Sequence, residues 1–278
     1  MIRRSFPLRA DTPTEWRLIA QREHARLSHE LAAAWGGPHV PPLVCGPRGA
    51  GNPLAEARRQ LLVAVRRHDD GWAEWWEEPG FDREEGRPFA FTEMPPADAQ
   101  RLWSASIDAC REEGTLAGWV AASHFSWLQS KRDADWPEWR AWVDRVDAKR
   151  AGWLDEWLAA SPAHTRPVAD RALAWLQALD WMSLWLCCKA PAEGEPIGEA
   201  APLVIGGEAD PWGTGWPAVT FTPTGEGAVA VDPWPFSAES LQLAAETLAV
   251  PAARYAHASE MREAGRAESL VWRLSPCG

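Results

Sequence analysis

Between Gln21 and Cys188, apolar side chains return every three to four residues in six separate stretches. That period belongs to helices that bury one face and expose the other. The stretches run over Gln21–Trp35, from Asn52-Pro53 to about Asp69, and over about 96–112, 115–131, 135–160 and 166–188. Gly36-Gly37 closes the first, and Asn52 before Pro53 suits an N-cap with proline in the first turn. Residues 70–96 are rich in Trp, Gly, Pro and acids without a sustained period, and read as a long loop.

Strand-like runs flank this helical block. They comprise residues 2–8 and 15–20, Leu203–Ile205, Ala218–Thr222, Ala228–Val231, the stretch 240–250 and Ser269–Leu274. The pattern predicts a mainly α fold with a helical core over about 21–188. A small antiparallel β attachment would come from about 201–278 and the N-terminal strands. With 278 residues and 46% hydrophobic side chains, the expectation is one domain over 1–278 with a sizeable core.

Several ionisable residues lie on the apolar faces of these helices. His68 follows Leu61 and Val65 at helical spacing, and Asp69 is its neighbour. His124 aligns with Val120, Trp127 and Leu128, and Asp180 with Leu173, Leu176 and Leu184. For any one of them a hydrogen bond inside the core is the ordinary alternative. Three helices turning such groups toward one apolar interior favour a bound cation, because a buried carboxylate is costly without one. His24 on the first stretch joins the set.

Other candidates sit nearby in sequence. His164 occupies a Pro-bounded turn between His124 and Asp180, suited to a second metal or to solvent exposure. Asp70 is a candidate to orient a ligand or activate water, with a helix-ending polar residue as the alternative. Lys131, beyond His124, is a candidate contact for an anionic substrate, or simply a solvated helix end. His29, His39 and His257 are assigned to surface or packing.

The order His24, His68-Asp69, His124, Asp180 resembles the HD-domain superfamily, and His68-Asp69-Asp70-Gly71 looks like its HDxG element. Trp72 stands where many members have Lys or His. More closely, Gln21-x-x-His24-Ala25, Trp35-Gly36, His68-Asp-Asp-Gly-Trp72, Trp76-Glu77, Leu179-Asp180 and Pro233-Trp-Pro-Phe236 resemble domain-of-unknown-function family 3891. The resemblance implies an HD-like helical core and one or two divalent transition metal ions. Histidine-rich ligation favours Fe, Mn, Co, Ni or Zn.

These readings point to a metal-dependent hydrolase acting on a phosphoester or another small polar substrate. An HD-type di-iron oxygenase is the first alternative, and it needs His164 as a sixth ligand. A non-catalytic metal- or ligand-binding module is the second.

Composition narrows the partners. The formal charge of −11 disfavours phosphate backbones and anionic membranes, so neither nucleic acid nor a membrane is expected. Without a long apolar run or signal-like h-region, a cytoplasmic location is expected. The five cysteines lack paired metal spacing, and Cys187-Cys188 reads as buried packing. Twenty tryptophans suit helix packing, or an aromatic pocket led by Trp72, Trp75 and Trp76. Gly46–Gly51 lacks the Gly-Lys-Ser/Thr of a phosphate loop and reads as structural.

Overall fold

Apolar periodicity and terminal Gly or Pro set the helix limits found in the computed structural model, which describes residues 1–8, 14–38, 40, 43, 52–130, 137–197, 200–207 and 216–277. Helices α1 (Gln21–Ala34), α2 (Ala55–Arg67), α3 (Ala73–Glu77), α4 (Pro96–Glu113), α5 (Thr115–Ser130), α6 (Pro137–Ala159) and α7 (Arg166–Cys188) follow one another, with a short 3-10 turn over Asp70–Trp72. Proline in the first turn of α4 and α7 costs no intrahelical bond there. Helix α5 packs against α2, α4, α6 and α7, while α1 packs against α2 and α7.

The segment 70–96 is not the featureless loop expected. It folds into the 3-10 turn, α3 and a two-stranded ribbon, β3 (Phe81–Asp82) with β4 (Arg87–Pro88). The ribbon is preceded by β1 (Ile2–Phe6) and β2 (Glu15–Ile19). After the helices come β5 (Leu203–Ile205), β6 (Val219–Gly225), β7 (Ala228–Asp232), β8 (Leu241–Pro251), α8 (Ala258–Glu263) and β9 (Arg266–Pro276).

Seven of these strands form one sheet in the order β1-β2-β8-β9-β7-β6-β5. The expected mainly α fold with a small antiparallel attachment is therefore corrected, as is an all-α description. Strands β8 and β9 are eleven residues each, and β9 enters the slot between β7 and β8. Running antiparallel to β8, it lies parallel to β7, which makes the sheet mixed. Local alternation could not reveal this, because strand order depends on partners distant in sequence.

The sheet is built into the helical core. Its buried residues Phe221, Val231, Leu243, Leu270 and Trp272 belong to the same hydrophobic cluster as Leu31, Leu61, Val120 and Leu176. An ion network pins the two layers together near the end of α7. Arg4 on β1 donates to the carbonyls of Leu186, Cys187 and Ala190 at 3.2, 2.9 and 2.8 Å, filling acceptors that the helix end leaves open. Glu195 binds Arg4 and also Arg17 of β2, the latter at 2.7 Å. Burial works against the ionised Glu195 carboxyl, but the Arg4 guanidinium holds its pKa below the usual value.

No helix among the described residues is long and apolar enough to cross a membrane. Cys110 and Cys187 are buried free thiols, and burial pushes the Cys187 pKa up, consistent with packing. Lys131, His39, Cys45 and the Gly46–Gly51 segment lie outside the described residues.

Candidate metal centre

Helical spacing delivers the ionisable residues to one place. His24 shares the buried face of α1 with Gln21, Leu27, Ser28 and Leu31. His68 caps the end of α2, and Asp69 leads into the 3-10 turn. His124 lies on α5 and Asp180 on α7. All five are buried, at 1–7% exposure. Ligand atoms of His24, His68 and Asp180 lie within 4.8 Å of one another, as metal ligation requires.

Each of the first two histidines has one nitrogen committed to the protein. Val65 O can only accept, so the His68 Nδ1 2.9 Å away carries a proton. The other nitrogen, Nε2, then faces Asp180 Oδ1 at 3.2 Å and Asp69 Oδ2 at 3.5 Å. His24 Nδ1 lies 2.9 Å from Ser183 Oγ, and that hydroxyl donates to Asp180 O at 2.9 Å. Ser183 therefore accepts from His24, whose Nε2 confronts Asp69 Oδ2 at 2.6 Å. A ring lone pair against a carboxylate is repulsive, so a proton or a metal cation must lie at each contact. The residues present fit a metal on this ground, with the outer ring nitrogens fixing the orientation of the inner ones.

The electrostatics reinforce the geometry. Burial alone lowers the pKa of His68, but Asp69 and Asp180 outweigh it and push it up to about 9. Asp180 goes down to about 2, because the His68 hydrogen bond and the neighbouring histidine charges overcome burial. His124 goes the other way, lowered by burial to about 4, and is a neutral ring near pH 7. Its Nε2 stands 3.7 Å from Asp180 Oδ2, and its Nδ1 is buried with no hydrogen-bond partner.

A cavity of about 120 Å³ opens at these residues, with Trp72, Phe91 and Trp103 in its wall. It has room for an ion with a few waters, at ~30 Å³ each. The buried indole N–H of Trp72 also lacks a partner. The expected aromatic cover is thus supplied by Trp72. Trp75 does not line this cavity but stands edge-on to Trp72, 6.5 Å between ring centroids, with its own ring against Gly80, and Trp76 packs against a second hydrophobic cluster.

Two sequence candidates stand outside the cluster. Asp70 is held by Arg67 at 2.7 Å and Arg22 at 3.3 Å, which occupies both of its oxygens. His164 is stacked on Trp157 at 4.3 Å between centroids and bonded through Nδ1 to Trp157 O at 2.7 Å. It precedes the start of α7, so Asp180 lies roughly 20 Å along the helix from it. The structure therefore does not bring His164, expected as a second-metal ligand, to the cluster.

Residues 8–252 match the family described as Protein of unknown function (DUF3891). The chain belongs to that family. No curated protein and no solved structure matches it. Two of the motifs that mark this DUF3891 chain prove to be one structural clamp. Gly36 and Gly37 donate to Pro235 O at 2.9 and 2.8 Å, and Trp35 bridges to Phe236. A Cβ on Gly37 would lie 2.8 Å from Trp234 O, so the close approach requires glycine there.

Sequence reading missed the serines that orient His24. Ser28 is one helical turn beyond His24, and Ser183 three residues beyond Asp180, so each shares a face with its neighbour. Their hydroxyls lie 2.8 Å apart. Spacing held that signal, but small hydroxyl residues are too common on buried helix faces to stand out.

Proposed function

We propose that this DUF3891 protein is a metal-dependent hydrolase whose centre is held by His24, His68 and Asp180, with Asp69 beside them. The observation that carries the reading is the pair of buried histidines whose outer nitrogens are fixed by Val65 and Ser183 and whose inner nitrogens face carboxylates. A divalent transition metal bound there would lower the pKa of a water and polarise a phosphoester or similar group. His68 and His24 orient through their second nitrogens, Asp69 and Asp180 balance the cation's charge, and Trp72 and Phe91 restrict solvent entry. His124, uncharged and unpaired at Nδ1, is placed to accept or donate a proton beside Asp180.

The resemblance of the ligand order to the HD superfamily supports the same reading. The di-iron oxygenase alternative wants a sixth ligand, and His164 is too far away to supply it.

Metal content of native protein and of His68→Ala, with hydrolysis of chromogenic phosphomonoesters and phosphodiesters, tests the proposal. About one or more metal ions per chain is expected in wild type, lost in the variant together with chelator-sensitive hydrolysis. Wild-type protein that takes up no transition metal overturns it. Metal without hydrolysis would leave a binding module in its place.

A further inference from the structure

The small cavity at the cluster adjoins a larger one. Phe91, His124, Leu128, Asp180 and Leu184 line both, and the second has a volume of about 500 Å³. That lies within the ~300–1,000 Å³ usual for small-molecule sites. Its remaining wall includes Trp127 from α5 and Trp181 and Trp185 from α7. Trp181 is 41% exposed, which places it at the rim and opens the cavity to solvent.

The chemistry of this wall is selective. Lys189 is the one cationic side chain among its described lining residues, and its ammonium sits 5.4 Å from the centroid of the Trp181 ring. A polyphosphate or nucleotide would set several negative charges against indole faces and the Asp180 carboxylate, with no arginine among the described lining residues to meet them. An apolar body instead removes aromatic and aliphatic surface from water on both sides. Two buried polar atoms of the lining residues have no partner, the Gln177 amide nitrogen and His124 Nδ1. Gln177 is 5% exposed and His124 2%, so neither is served by bulk water. Both residues line the same cavity, so a polar group on a bound molecule meets two open hydrogen-bonding positions there.

We infer that the larger cavity is the substrate pocket of the metal centre, and that it takes a small molecule with a flat hydrophobic body and a single compact polar group. The body lies against Trp127, Trp181 and Trp185, and the polar group meets Gln177, His124 and the cluster. This assignment rests on the metal-hydrolase reading for the fate of the polar group, while the hydrophobic preference rests on the pocket alone.

The two parts are separated by calorimetry with probes whose C–P bonds resist hydrolysis. On metal-loaded protein, 2-naphthylmethylphosphonate is expected to bind at least about tenfold more tightly than methylphosphonate, the factor that burial of an aromatic body supplies. On metal-free protein, 2-naphthol alone is expected to bind. Trp181→Ala, at a partly exposed rim position, should weaken both aromatic probes severalfold and leave methylphosphonate binding and metal content unchanged. Gln177→Leu should weaken the phosphonates more than an unrelated surface change does. Equal affinity for the two phosphonates, or 2-naphthol binding that is absent or indifferent to Trp181→Ala, overturns the pocket assignment. If no metal binds yet 2-naphthol binds in a Trp181-dependent way, the hydrolase reading fails and the hydrophobic pocket stands.

Discussion

Gly71 lies so close to Leu102 on α4 that a Cβ added to it would sit 2.1 Å from the Leu102 carbonyl oxygen. Its backbone N–H donates to Ser106 Oγ at 3.0 Å, fixing the turn that carries His68 and Asp69 against α4. The glycine of the HDxG-like element is thus required by packing. Gly71→Ala is expected to cost about 1–3 kcal/mol, the usual range for overpacking, and to weaken metal binding by displacing the turn. Denaturant unfolding and metal titration check both, and wild-type values for both would show that α4 yields without disturbing the site.

Metal uptake should release a proton from His68. The His68 pKa is about 9 in the metal-free protein, and a metal ligand must be the neutral ring. Affinity should therefore rise about tenfold per pH unit from pH 7 to 9 and then level off. Calorimetry in buffers of different ionisation enthalpy reads the proton directly, and pH-independent affinity over that range would exclude His68 as the displaced base.

The same shift predicts the pH dependence of stability. A folded pKa of about 9 exceeds the ordinary value of 6.5, so the contribution is fully present below pH 6.5 and lost as pH rises through 9. Thermal unfolding of chelator-treated protein should move to lower temperature across that window. Metal-loaded protein should not show this loss, because the cation replaces the proton between His68 and the carboxylates.

His164→Ala is expected to leave metal content unchanged. It removes a ring stacked on Trp157 and a bond to Trp157 O, with an expected cost of about 1–2 kcal/mol. A fall in metals per chain in the folded variant would return His164 to the site.

Glu195→Gln should destabilise the union of sheet and α7. Arg4 would be left as a buried cation with no full counter-charge, and breaking such a pair costs about 3–5 kcal/mol. The denaturation midpoint reads the effect, and a change below about 1 kcal/mol would mean that the carbonyls at the end of α7 alone satisfy Arg4.

By itself the sequence determined which faces are buried. Three-and-four spacing located α1, α2 and α4–α7 to within a few residues, and it put His68, His124 and Asp180 inside, while His24 was placed only on its helix. Period-two runs located the strands of the large sheet, though not the full length of β8 and β9, and they gave no sign of the β3–β4 ribbon. Only the tertiary structure decided what each face meets. Periodicity records that a side chain leaves water, because burial depends on the local repeat, but it carries no information about the partner across the gap. The size and mixed pairing of the sheet, the approach of three helices that brings His24, His68 and Asp180 within 4.8 Å, and the diversion of Asp70 to Arg67 and of His164 to Trp157 were therefore settled by long-range packing.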